Sequence, residues 1–386
     1  MKIKHIKAYW LRCPIPAGRQ WRSDYGQLTH FDMTLVEVTD EDGHTGYGEA
    51  KAAVGATGAC ASIVTCIEQE LAPQLVGMEA GNITAVWEAV YNGSRDHYAR
   101  DRGRVFPILG NRGTTISALS GIDTALWDLK GKRLGVPVIE LLGGSCRESM
   151  PCYASGGWAA VDKLGDQLKS YVDHGYGGIK MRVGVMDNSV RETVARVEEA
   201  RRALGQEIDI MVDAHGTFSV TEARRFARMT EDLGLYWFEE PVTSDNKAGT
   251  AEIRRGTTTP IAAGESEFTR FDFRDLIEHK SVDVLQPDCA IVGGITEARR
   301  VAALAETHQL ELAPHCWGSA FSFMAGVHLA FSSPSAVYIE HSLGGNPLLY
   351  DLVKEAPQVA DGRIQQPTRP GLGLEINPDF VQKFRV

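Results

Sequence analysis

No stretch of 18 apolar residues occurs in the chain, so no membrane-spanning helix is expected. No long apolar core follows Met1-Lys2-Ile3-Lys4-His5, which runs straight into an alternating pattern. A secretory leader is therefore not expected, and the cytoplasm is the expected compartment. An excess of basic charge is also missing. The formal net charge is −10, which disfavours nucleic acid and anionic membrane as partners, because both need a basic surface. An anionic small molecule stays open, since a bound cation inverts the local field. Paired cysteine motifs are missing too. Seven cysteines are scattered, with no CxxC and an odd count, and the expectation is buried free thiols in a reducing compartment.

What is present begins with bulk. Hydrophobic residues make up 43% of 386, enough for a sizeable core in two or three domains. Residues 2–15 alternate like a strand. Residues 33–39 and 44–50 flank Asp40-Glu41-Asp42-Gly43 and read as a hairpin. Helical stretches are expected near 56–74, 84–92 and 114–133. In the last, Ile116, Leu119, Ile122, Leu126 and Leu129 recur at helical spacing, and Gly135 with Pro137 stops it.

From about residue 150, short apolar runs end in polar residues and alternate with helical segments. Candidate strands are Pro151–Ala154, a run through Gly178-Ile179 to Lys180-Met181-Arg182, and runs ending at Asp213, Glu239, Glu265, Asp288, His315 and Glu340. The step from Lys180 to Asp213 is 33 residues, and those after it are 26, 26, 23, 27 and 25. One strand, loop and helix take about that length, and the alternation implies parallel strands. Eight of them fit a (β/α) barrel of the TIM type. Loops after its strands share one face, so residues at several strand ends converge in space.

Asp213, Glu239 and Glu265 end three successive strands. Three carboxylates at one barrel mouth repel each other, and a hard divalent cation relieves this; Mg²⁺ suits oxygen ligands. Glu240 rivals Glu239, but strand alternation points only one of the two inward, and Glu239 is the choice. An Asp beside a His, Asp288 with His315, holds one imidazole nitrogen and makes the other more basic. Lys180 and Arg182 face one way, two apart on a strand, and supply positive charge for an anionic substrate. Arg182 stays protonated, whereas Lys180 becomes a base if burial and a metal lower its pKa. His215 shares the facing of Asp213, as a proton donor to a departing hydroxyl or as a polar contact to substrate or metal water.

These residues carry a resemblance. The run Ser120-Gly121-Ile122-Asp123-Thr124-Ala125-Leu126-Trp127-Asp128-Leu129-Lys130-Gly131-Lys132 is one marker. Trp237-Phe238-Glu239-Glu240-Pro241, Ala262-Ala263-Gly264-Glu265, Leu285-Gln286-Pro287-Asp288, Ala313-Pro314-His315 and Arg369-Pro370-Gly371-Leu372-Gly373 are others. Through most of its length the chain resembles the mandelate racemase group of the enolase superfamily, whose members use a Lys or His base with Mg²⁺ to stabilise an ene-diolate. The resemblance implies an N-terminal α+β capping domain over residues 1–133, a (β/α) barrel over 134–350, and a tail over 351–386 returning to the cap. It implies Mg²⁺ on Asp213, Glu239 and Glu265, His315 as acid/base with Asp288, and Glu340 beside the substrate carboxylate. Substrate selection by mobile cap loops makes Arg19, Trp21, Arg22 and Tyr25 candidates. The family's common dimers or octamers imply a homo-oligomer.

One departure bears on function. Racemases of this group carry Lys-x-Lys, the second Lys being a base opposite the His; this chain has Lys180-Met181-Arg182. Asp213-x-His215 looks like the arrangement in aldonate dehydratases such as galactonate dehydratase. The expected activity is Mg²⁺-dependent dehydration of a sugar acid, an aldonate or aldarate, to a 2-keto-3-deoxy acid. Racemisation or epimerisation, with Lys180 as the opposing base, and cycloisomerisation of a lactone or anhydro-sugar acid share its first proton abstraction. A non-catalytic metal-binding barrel is the alternative of another class.

Overall fold

A computed structural model describes residues 1–23, 26–52, 59–93, 110–145, 147–184 and 186–386. The first strands form an antiparallel sheet in which His30–Asp40 lies between Ile3–Pro14 and Thr45–Ala50. The hairpin expected around 40–43 is therefore present, with its first strand longer at both ends and its second starting one residue later.

The helix Thr114–Leu134 packs on this sheet, and it is buried nearly all round. Glycines make the approach close. A Cβ at Gly48 would meet the Gly121 carbonyl oxygen at 2.3 Å, and one at Gly46 would meet the Ala125 carbonyl oxygen at 2.1 Å. The helix ends where Gly135 turns left-handed at φ 70°, a conformation that suits glycine. Asp128, fully buried in this helix, accepts from Tyr47 N at 2.9 Å, Leu372 N at 2.8 Å and Lys132 Nζ at 2.6 Å. One carboxylate thus ties the sheet and the C-terminal tail to the helix. The tail also returns to the first strand, where Val386 N donates to the Trp10 carbonyl oxygen at 2.9 Å.

Eight parallel strands follow. Ser149–Gly156 lies between Gly178–Arg182 and the last strand, Ile339–Ser342. From Gly178–Arg182 the order runs through Asp209–Asp213, Leu235–Glu239, Ile261–Ala263, Val284–Leu285 and Glu311–Leu312. Leu312 then pairs in parallel with Ala336, just before the last strand, and closes the ring. Helices between the strands cover the outside, as Val190–Leu204 and Val220–Met229 illustrate. Ser219 and Glu222 form a capping box at the start of the second of these. Inside the ring, Tyr153, Met211, Trp237, Ala262, Val284 and Ala313 pack together as a plug. The last strand is shifted from its expected place: it runs to Ser342, so Glu340 lies within it and not at its end.

The six described cysteines are free, five of them buried. No described helix is long and apolar enough to cross a membrane.

Candidate active site

Strand register explains how distant residues meet. Arg182 pairs with Asp213, and Asp213 with Glu239, on three adjacent strands. Their side chains therefore stand at one level of the ring. Glu265, Asp288 and His315 follow the strands Ile261–Ala263, Val284–Leu285 and Glu311–Leu312 within three residues. All six, with Lys180 and Glu340, are buried at the mouth.

The charges there are dense. Lys180 Nζ is bonded to Glu239 Oε1 and lies 3.2 Å from Glu340 Oε1 and 3.3 Å from Asp213 Oδ2. Burial pulls its pKa down, but Glu239, Glu340, Tyr153 and Asp213 together hold it well above the ordinary lysine value. Lys180 is thus the cation of this cluster. Arg182 Nη1 reaches Asp213 Oδ2 at 2.7 Å, and its guanidinium lies over the Trp158 ring at 4.7 Å. Burial raises the Asp213 carboxyl, yet Arg182, His215 and Lys180 outweigh it and drive the pKa far below the usual range.

The other carboxylates go the opposite way. Burial and then Asp213 push Glu239 up to about 8. Burial, then Glu240, push Glu265 well above its ordinary value. Glu239 Oε2 is held by Trp237 Nε1 at 2.9 Å and Gln286 Nε2 at 2.8 Å, whereas the buried Glu265 Oε2 has no hydrogen-bond donor among the described residues. The choice between Glu239 and Glu240 meets a complication. Glu240 follows the strand with φ at 40°, so alternation no longer governs it, and both side chains are buried.

This donor set fits a divalent cation. Ligand atoms of Asp213, His215 and Glu265 lie within 4.8 Å of one another, and the carboxylate oxygens among them and on Glu239 suit a hard ion. The unsatisfied Glu265 oxygen is what such an ion relieves.

Beside the carboxylates stands the imidazole. His315 Nδ1 lies 2.7 Å from Asp288 Oδ2, and its Nε2 is 3.5 Å from Glu265 and 3.7 Å from Glu340. With Nδ1 given to Asp288, Nε2 is the nitrogen left for chemistry. Burial lowers the His315 pKa, but Glu265, Glu340 and Asp288 raise it above the ordinary value. Glu340 Oε2 accepts from Cys316 N at 2.9 Å. Burial raises Glu340, and Lys180 followed by His315 overcome this and hold it at about 2.

These groups open into a cavity of about 490 Å³ that takes Lys180, Arg182, Asp213, His215, His315 and Glu340 into its lining. Its size suits a small ligand. His215 has φ at 45°, donates its backbone N–H to Asp213 Oδ1 at 3.0 Å, and sets its ring 6.5 Å from that of Trp158. The far wall comes from the N-terminal sheet and its neighbours, among them Arg12, Gln27, His30 and Lys51. Of the expected loop residues, Arg22 is exposed on the short hairpin of Trp21–Ser23 and Gly26–Leu28, which lends Ser23 and Gln27 to the lining instead. Tyr25 and the side chains of Arg19 and Trp21 lie outside what the structure describes.

Sequence reasoning missed Lys51, whose Nζ is 2.7 Å from Asp288 Oδ2. The signal available was a charged pair two apart, Glu49 near the end of the strand Thr45–Ala50 and Lys51 just after it. Trp237 and Gln286, which hold Glu239, were part of recognised runs but carried no assigned role.

Comparison with known proteins bears on this geometry. The N-terminal domain of the mandelate racemase / muconate lactonizing enzyme family matches residues 23–143, and an enolase C-terminal domain-like family matches residues 163–380. A D-galactonate dehydratase of Ralstonia pickettii is 36% identical over 363 residues, covering 90% of this chain and 89% of its own length. A D-galactarolactone cycloisomerase of Agrobacterium fabrum is 32% identical over 365 residues, 91% of each chain. Among solved structures, a racemase from Streptomyces coelicolor with bound magnesium superimposes with a TM-score of 0.86 at 32% identity, covering all of both chains.

Proposed function

The chain belongs to the mandelate racemase group of the enolase superfamily, and on that premise we propose that it is a Mg²⁺-dependent dehydratase of a sugar acid. It removes the proton next to the substrate carboxylate and eliminates the 3-hydroxyl, leaving a 2-keto-3-deoxy acid. The observation that carries this reading is the buried His315–Asp288 pair, whose His315 lines one cavity with His215, Asp213 and Glu340. The relative from Ralstonia pickettii, a D-galactonate dehydratase, supports the substrate class.

Asp213, Glu239 and Glu265 would hold the metal. Bound there, Mg²⁺ supplies positive charge that makes the C2 proton more acidic and stabilises the enediolate. The chain's own residues do the rest. Asp288 keeps the His315 proton on Nδ1, so Nε2 takes the C2 proton. Lys180 and Arg182 keep the substrate end of the site positive. Glu340, ionised and held by Cys316 N and Lys180, would lie beside the substrate carboxylate and help with the enediolate by keeping Lys180 and His315 turned toward it. His215, wedged between Asp213 and Trp158, gives its proton to the leaving hydroxyl. Its nearness to Asp213 and Glu265 also favours a ligand role, and His215→Asn separates the two. Loss of elimination with C2 exchange retained marks the acid; loss of metal binding marks the ligand.

Two-base racemisation needs Lys180 neutral, and its three carboxylate neighbours oppose that. Cycloisomerisation is the second reading, favoured by the Agrobacterium fabrum relative. It shares the first step and differs only in the leaving group. A dimer or octamer, residence in the cytoplasm, and the division of the chain at 133 and 350 belong to the same proposal. His315→Asn tests it: turnover should vanish while Mg²⁺ still binds, and near-normal turnover would sink the assignment.

A further inference from the structure

The strand Thr45–Ala50 ends in a short segment that is stitched to the barrel. Glu49 Oε2 accepts from Ser319 N at 2.8 Å and from Ser319 Oγ at 2.7 Å. Lys51 N donates to the Ala290 carbonyl oxygen at 2.9 Å. Lys51 Nζ donates to the Trp317 carbonyl oxygen and reaches Asp288 Oδ2 at 2.7 Å. The two barrel segments engaged, 288–290 and 317–319, adjoin the His315–Asp288 pair.

Asp288 is therefore held by donors from three parts of the chain. Oδ2 takes both His315 Nδ1 and Lys51 Nζ, and Oδ1 takes Ala290 N at 2.7 Å. A carboxylate bonded in this way has one orientation available, and that orientation fixes which His315 nitrogen is free. Lys51 is not a solvated surface lysine, because only 19% of its side chain is exposed. Of its three donors, two are committed to Asp288 and Trp317. Its attachment favours a role in holding Asp288 over a role in holding substrate.

We infer that Lys51 is a positioning residue for His315, and that the proton-abstracting pair is complete only when the end of the N-terminal sheet is seated on the barrel. The cap then does more than cover the cavity: it sets the base. This rests on His315 being the base, as proposed above.

The test is Lys51→Met, which keeps length and loses charge. With the substrate identified, kcat should fall by about tenfold or more, as for groups that orient a reacting side chain, while KM stays within about threefold. Lys51→Arg should recover much of the loss. Unchanged kcat in Lys51→Met overturns the inference, and so does a raised KM with kcat retained, the mark of a substrate-binding cation. A second readout needs no substrate. The His315 Nδ1 proton, held by Asp288, is sought as a downfield proton NMR signal assigned by its loss in His315→Asn. It should shift or broaden in Lys51→Met, and an identical signal overturns the inference. If Lys51→Met does not fold, Lys51→Gln carries the same measurements. Normal turnover in His315→Asn would sink the base assignment itself, whatever the Lys51 variants do.

Discussion

Buried carboxylates occur in two regions of this molecule and are treated differently. At the seam between helix Thr114–Leu134, the N-terminal sheet and the tail, Asp128 accepts two backbone N–H groups and a lysine, through both of its oxygens. At the barrel mouth, Asp213, Glu239 and Glu340 crowd around one lysine, and beside them Glu265 Oε2 has no hydrogen-bond donor among the described residues. The seam carboxylate is satisfied and ties three parts of the chain together. The mouth carboxylates repel one another and Glu265 is left under-satisfied, an arrangement that fits a bound cation. Burial alone does not separate the two roles, since all are fully inside. Between Asp128 and Glu265 the inventory of donors does.

The comparison can be broken in four places. The largest effect is expected at the mouth. Glu265→Gln should cut turnover by about 1000-fold or more, about 4 kcal/mol in the barrier. Its thermal midpoint without Mg²⁺ should hold or rise, because burial makes that charge costly. A destabilised variant, by calorimetry, would put Glu265 with the seam group. Next is the seam itself. Asp128→Ala strands the N–H groups of Tyr47 and Leu372 and should cost about 3 kcal/mol in urea unfolding, while turnover per folded molecule stays within a few-fold.

Mg²⁺ should act on the mouth alone. At 100 times its dissociation constant it should stabilise the protein by about 2.7 kcal/mol, with little effect in Asp213→Asn. Because the Glu239 carboxyl sits at about 8, the ion displaces a proton below that pH. Its effect on the melting temperature should therefore be larger at pH 8.5 than at pH 6.5. The smallest effect is a seam-like one. His328 accepts from Ile139 N at 3.1 Å, and burial lowers its pKa to about 4. Its folded value lies below the unfolded one, so its contribution is complete above about pH 6.5 and is lost as pH falls toward 4. By pH 5.5 roughly 1 kcal/mol should be gone, and His328→Gln should lose less over the same interval.

Much of this was legible in the sequence because parallel strands at near-equal intervals leave a one-dimensional trace. Asp213, Glu239 and Glu265 stood out as strand ends, and Asp288 with His315 as the next two. Alternation failed at Glu240, since it governs extended backbone and Glu240 leaves it with positive φ. It also mistimed the last strand, which continues past Glu340 because the whole stretch Ile339–Ser342 is buried and gives no polar stop. Lys51 left only the faint trace of a charged pair with Glu49, which says nothing of its partner. Its contact with Asp288 spans 237 positions of chain and exists only through the docking of two sheets, which local pattern does not encode. Arg22, a candidate through the family's substrate-selecting cap loops, is exposed, while Ser23 beside it lines the cavity.

The most direct test of the central claim is to incubate the protein with Mg²⁺ and a panel of aldonic and aldaric acids in D₂O and follow each by proton NMR. The account predicts that one of them loses water to give a 2-keto-3-deoxy acid. Exchange or inversion at C2 or C5 with no loss of water would contradict dehydration and favour an epimerase or cycloisomerase. No change across the panel would remove sugar acids as the substrate class.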